Sequence, residues 1–169
     1  MLSLSKWGTP RQGPFDCPPA AGALDRLGRS KGGFTTKIHL RINALGLPIA
    51  FALTSGEVFD YKGYLPIMNA DGPAPKVLLA DKGYDADFIR KDMERRGGTA
   101  MIPTKRNRLI QMPVDAAIYA LRNMVERCFN KLKNARRLAT RYNKTADSYL
   151  GFIHIVSIRL WMRQFVNTF

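Results

Sequence analysis

Acidic side chains are scarce in this chain, and so are the residues of most familiar chemistries. Only 13 Asp and Glu stand against 27 Lys and Arg in 169 residues. There are two cysteines, Cys17 and Cys128, and two histidines, His39 and His154. Two isolated cysteines far apart offer no paired zinc-ligand spacing and fit a reducing cytoplasm. No Gly-x-Ser-x-Gly segment and no Cys–His signature is present, which argues against a nucleophilic hydrolase; without Gly-x-x-x-x-Gly-Lys-Ser/Thr, an NTPase phosphate loop is also missing. Long apolar runs are absent too. The most apolar stretch, 149–162, contains His154 and Arg159 and is too short to span a bilayer. The first 15 residues lack an apolar core followed by a small-residue cleavage site, so no secretory signal is read. Membranes and small-molecule substrates are therefore not expected partners.

What the chain does have is positive charge. Its formal net charge is +14 with a pI near 10.2, a field that favours polyanions such as nucleic acid. Between residues 104 and 144, eleven Lys and Arg face only Asp115 and Glu126. Charge alone leaves two readings open: a solvated basic face, or a surface that meets nucleic acid.

Residues 1–33 are rich in Gly and Pro and show no lasting periodicity, so they are expected to be irregular, without a strand in the first fifteen positions. Order is expected from Phe34, giving a domain over 34–169. Phe34, Thr36, Ile38, Leu40 and Ile42 alternate with Thr35, Lys37, His39 and Arg41, the pattern of a half-buried strand. Asn43 to Gly46 supplies a turn into a second apolar run, 48–54, completing a hairpin. A short helix is expected within 61–68. Val77-Leu78-Leu79-Ala80 reads as an interior strand ending at Asp81. An amphipathic helix over 85–96 closes at Gly97-Gly98. A short strand over 99–103 and helices over 114–137 and 145–166 complete a mixed α/β domain.

Two acids stand out. Asp81 directly follows a buried strand, at a carboxyl edge where open α/β sheets place their sites; capping of the Asp81-Lys82-Gly83 turn is the alternative. At 100° per residue, Tyr119, Arg122, Glu126 and Lys133 share one helical stripe about 60° wide. Glu126 is the sole acid of that stripe, and either a ligand or half of an exposed Arg122–Glu126 pair. Two or three carboxylates on rigid elements suit hard divalent cations, which can drive phosphodiester chemistry without a protein nucleophile. Other residues carry weaker signals. The Gly28–Gly33 run reads as a flexible basic loop before a phosphate cradle. His39 reads as a hydrogen-bonding strand residue, with a place beside the site as the alternative, and His154 as packed. Glu57 and Asp60, spare acids in the loop after the hairpin, read as turn or surface acids, with a place near the site as the alternative, and Trp161, Phe152 and Phe165 read as core.

Tyr119-x2-Arg122-x3-Glu126-x6-Lys133 resembles in full the signature of insertion-sequence transposases of the IS4/IS5 type with a DDE catalytic core. Further blocks are similar to that family: Gly28 to Gly33 with Thr35 to His39, Leu79 to Asp85, and Ala139 to Lys144. The resemblance implies a ribonuclease H-like α/β fold, a mixed sheet flanked by helices. It implies Asp81 and Glu126 as catalytic, metal-binding acids, with Mg²⁺ as cofactor and Mn²⁺ as substitute. The partners implied are the DNA ends of an insertion sequence and target DNA in a bacterial, nucleoid-associated setting, with a homo-oligomer left open. Arg122 and Lys133 would contact phosphates, Tyr119 a base or the backbone, and Lys105, Arg106, Arg108, Arg136, Arg137 and Arg141 would add sequence-independent affinity.

One departure matters. The family's first catalytic aspartate sits on a strand before that of Phe34. Here Asp16 and Asp25 are the only acids before residue 34, and neither matches the motif. That first strand is therefore expected to be missing or altered, as in a frameshifted or decayed gene copy. The chain alone is then expected to be weakly active or inactive, either a transposase core lacking one acid or a DNA-binding remnant.

Overall fold

The computed structural model describes residues 2–8, 28–30, 33–140 and 145–166. Among the described residues six strands form one mixed sheet: β1 (Leu2–Gly8), β2 (Gly28–Ser30), β3 (Gly33–Ile42), β4 (Pro48–Ser55), β5 (Val77–Ala80) and β6 (Thr99–Met101). β1 lies between β3, to which it is antiparallel, and β5, to which it is parallel; β6 runs parallel to β5. β4 pairs antiparallel with β3 from Thr36 to Ile42, and β2 with the start of β3. The order across the sheet is thus β4-β3-β1-β5-β6.

Helices cover both faces. On one side α1 (Tyr64–Met68) and α2 (Asp87–Arg95) bury Tyr64, Ile67, Met68, Ile89 and Met93 against Leu78, Ala80 and Ala52. On the other, α4 (Asn123–Lys133), α5 (Arg136–Thr140) and α6 (Ala146–Val166) bury Val125, Cys128, Leu132, Leu138 and Ile153 against Ile38, Leu40 and Ile42. Burial pushes the Cys128 thiol up to about 11, so it is a packed, unreactive group. Among the described residues no helix is long and apolar enough to cross a membrane.

Several expectations need correction. Residues 1–33 are not irregular throughout: Gly28–Ser30 is a strand paired with β3 rather than a flexible loop, and Leu2–Gly8 belongs to the sheet. Its Leu-Ser-Leu-Ser alternation is weak, and pairing along both edges supplies what local propensity does not. β3 is buried on both faces rather than one, with His39 and Arg41 as inaccessible as Leu40, because helices cover the sheet on each side. The helix expected over 114–137 is three helices: α3 (Ala116–Ala120), α4 and α5. Between α3 and α4 the bonds tighten to i→i+3, as in Arg122 N–H to Tyr119 O (2.9 Å) and Val125 N–H to Arg122 O (3.0 Å). A 3₁₀ turn advances about 120° per residue, which rotates Leu121 out to solvent while Val125 and Cys128 stay buried.

At the end of α2 and in the β3–β4 turn the local chemistry acts as read. Gly97, at φ +72°, ends α2 with its N–H on Glu94 O, and Gly98 N–H bonds Met93 O. Asn43 Oδ1 accepts from the N–H groups of Leu45 and Leu47, both at 2.9 Å, closing the β3–β4 turn. His154 is exposed, edge-on to Phe51, rather than packed. Trp161 donates to Pro48 O (2.8 Å), while Phe165, expected in the core, is mostly exposed and stacks on it.

Candidate active site

Asp81 is the first residue after β5, where the chain leaves the sheet. Its carboxylate caps the 3₁₀ turn Lys82–Tyr84 by accepting from Lys82 N–H at 2.6 Å. The turn is held from below. Tyr84 is fully buried, and its hydroxyl meets His39 Nδ1 at 2.6 Å, while His39 Nε2 meets Thr54 Oγ1 at 2.8 Å. Burial first, then the Asp60 and Asp81 carboxylates, push the Tyr84 phenol far up, so it is a neutral partner at any working pH. Asp60 lies against the same turn. It is buried and ion-paired with Lys37 (3.1 Å), and a Cβ on Gly83 would collide with its carboxylate. His39 is thus the hydrogen-bonding strand residue the alternation suggested. Asp60 is a buried support rather than a surface acid.

Glu126 occupies the first turn of α4, which packs across β1 and β3. It accepts from Arg122 Nη2 at 2.6 Å and is half exposed. The Arg122 guanidinium also lies 5.7 Å from the Tyr119 ring centre. The Tyr119 phenol is raised, first by burial, with the charges of Asp81 and Glu126 adding to that and Arg122 opposing it. Lys133 lies seven residues beyond Glu126, about 10 Å along the helix axis.

The remaining basic residues are spread around this centre. Lys105 and Arg106 are exposed on the loop after β6, and Arg137 is exposed on α5. Arg108 is bound to Asp85 (2.8 Å) and to Asp87, so it serves as an internal anchor rather than an open phosphate donor. Arg141 lies outside the described residues. The β1–β5 register pairs Leu4 with Ala80, which brings Ser5 level with Asp81, and no residue of Leu2–Gly8 is acidic. Among the described residues no group of three or more His, Cys, Asp and Glu is placed to hold a metal ion. Asp81 and Glu126 are two hard oxygen donors, a set that could hold a cation satisfied by one or two carboxylates plus water and phosphate oxygens. A separate cleft of about 440 Å³, lined by Gly46, Lys131, Arg159 and Arg163, lies beside the β3–β4 turn, at the end of the sheet where β1 begins.

Residues 24–161 match the transposase DDE domain family. The chain belongs to that family. A Brucella ovis protein, named as transposase for insertion sequence element IS6501, is 33% identical over 130 residues, covering 76% of this chain and 99% of its own. A Burkholderia cepacia protein, named as transposase for insertion sequence element IS402, is 28% identical over 165 residues, covering 92% of this chain and 70% of its own. Family membership makes this a DNA transposition protein of an enzyme class that cuts and transfers DNA strands. Transposases of the DDE kind use divalent metal ions.

Two supporting acids are not legible in local sequence: nothing beside Asp85 marks it as buried, and Asp60 gives no stronger signal than a turn acid with a place near the site as the alternative. Their partners, Arg108 and Lys37, each lie 23 positions away.

Proposed function

We propose that this chain is a transposase catalytic core of the IS4/IS5 type, with a ribonuclease H-like fold, in which Asp81 and Glu126 hold Mg²⁺ or Mn²⁺. What supports the reading is the Tyr119-x2-Arg122-x3-Glu126-x6-Lys133 spacing in a strongly basic member of the transposase DDE family, with Asp81 at the end of β5 and Glu126 on α4, which packs across β1 and β3. The mixed sheet with helices on both faces supports the fold assignment. When bound, the metal supplies activation of the attacking oxygen and charge stabilisation of the leaving one. The protein's own part is binding and orientation. Arg122 donates to Glu126 and is also hydrogen-bonded to the Tyr119 phenol, so it holds both side chains while the rest of its fork can meet a phosphate. Lys133 adds a point charge, and Tyr119 offers a ring face or hydroxyl to the strand. Lys105, Arg106, Arg137 and Arg141 give sequence-independent affinity that falls as salt rises. The substrates are the ends of an insertion sequence and target DNA, joined by an enzyme that can work as a homo-oligomer.

A second reading is favoured by one observation, the lack of any acid on Leu2–Gly8 beside Asp81. On this reading the chain binds DNA without cutting it. A nicking assay on supercoiled DNA with Mg²⁺ or Mn²⁺ separates the two. Nicking that vanishes in Asp81→Asn and Glu126→Gln supports the enzyme. Binding with no nicking at any metal concentration supports the second reading.

A further inference from the structure

The loop between β6 and α3 is anchored at its base and apolar at its tip. Its start is level with Asp81, since Leu79 pairs with Met101 in the β5–β6 register. Asp85, four residues after Asp81, holds it through Lys105 N–H (2.9 Å) and Arg108 Nη1 (2.8 Å). Gln111 closes the loop on itself by donating to the carbonyls of Lys105 (3.2 Å) and Arg108 (2.8 Å). On this fixed base Leu109 is fully exposed, at 101%, and Ile110 is 73% exposed. A single exposed aliphatic residue means little, but two in succession on an anchored loop form a patch that calls for a partner. The charge beside them narrows the choice. Lys105 and Arg106 are exposed and make no side-chain ion pair among the described residues, and the loop holds no acid before Asp115. A second copy of a +14 chain would bring like charge to this spot. A polyanion with an apolar interior fits, and that is a DNA base stack between two phosphate backbones.

We propose that Leu109 and Ile110 form a wedge that enters the DNA base stack beside the strand lying along Asp81, while Lys105 and Arg106 hold the flanking phosphates. Apolar side chains can insert between base steps and unstack them when nearby basic groups grip the backbone. The inference rests on the reading above that DNA lies along the Asp81 edge. The wedge opens the helix locally, so that a single strand can approach the carboxylates.

The test uses the full chain without divalent metal and a nicked duplex carrying 2-aminopurine at successive positions around the nick. The expected result is a several-fold rise in fluorescence at one or two positions on binding. Leu109→Ser/Ile110→Ser should abolish that rise while keeping salt-dependent binding and an unchanged circular dichroism spectrum. Lys105→Ala/Arg106→Ala should lower the slope of log affinity against log salt by about 2. Binding without a fluorescence rise, or a rise that persists in Leu109→Ser/Ile110→Ser, overturns the wedge and leaves the DNA reading intact. A change in sedimentation of that variant with unchanged fluorescence also overturns it, since the tip then contacts protein. No binding of wild type to duplex at low salt overturns both.

Discussion

Arg108 Nη1 donates to Asp85 Oδ1 at 2.8 Å, and through this pair the loop after β6 is tied to the segment that carries Asp81. The same carboxylate oxygen accepts from Arg90 Nη2 at 3.0 Å, and its side chain is only 1% exposed. One buried acid thus joins α2, the loop and the candidate site. Burial by itself would raise the Asp85 carboxyl. The Lys105 N–H, the Arg90 hydrogen bond and the charges of Arg108 and Arg90 outweigh it and hold the carboxyl below its usual value of 3.8.

Asp85→Asn should cost about 3–5 kcal/mol, because it leaves a buried arginine without its counter-charge. Chemical denaturation measures the loss, and faster amide exchange in residues 102–111 locates it. The pH dependence has a defined sign. A depressed folded value contributes stability above the unfolded value of about 3.9, lost as pH falls through the folded one. Protection of the Lys105 amide should therefore be full above about pH 4 and decline below it.

Gly83→Ala should destabilise the protein by about 1–3 kcal/mol, since the added methyl meets the Asp60 carboxylate in a packed site. Combining it with Asp60→Gly should give less than the sum of the two single effects, as residues in contact do. Thermal melts of the three variants check this.

Glu126→Gln separates two roles that the sequence left open. The Arg122–Glu126 pair is exposed at the carboxylate, so its loss should change stability by only about 0.3–0.5 kcal/mol. Divalent metal affinity should fall far more than stability does. Denaturation and metal titration on the same sample give both numbers.

Ser5→Asp introduces a carboxylate one residue after Leu4, which pairs with Ala80, the residue before Asp81. This variant should bind Mn²⁺ more tightly than wild type and gain nicking activity, read from conversion of supercoiled to open-circular DNA.

Much of this arrangement is legible from the chain, for identifiable reasons. The β3–β4 hairpin announces itself by alternation and by Asn43, the interior strand β5 by Val77 to Ala80, and the end of α2 by Gly97. The i,i+4 spacing of Arg122 and Glu126 gives their contact directly. What was hidden depends on tertiary context. Leu2–Gly8 becomes a strand only because β3 and β5 pair along both of its edges. Asp60 and Asp85 look like ordinary turn acids, and their burial follows from helices and loops brought over them from far along the sequence. The break near Leu121 reflects packing of α4 on the sheet, which a uniform helical wheel does not contain.

Whether Asp81 and Glu126 share a divalent ion is read from Mn²⁺ titration followed by electron paramagnetic resonance. Wild type should bind, and binding should weaken at least about tenfold, near 1.4 kcal/mol, in either Asp81→Asn or Glu126→Gln. The double variant should be little worse than either single one, as expected for ligands of one ion. Equal Mn²⁺ affinity in wild type and both single variants would contradict the account.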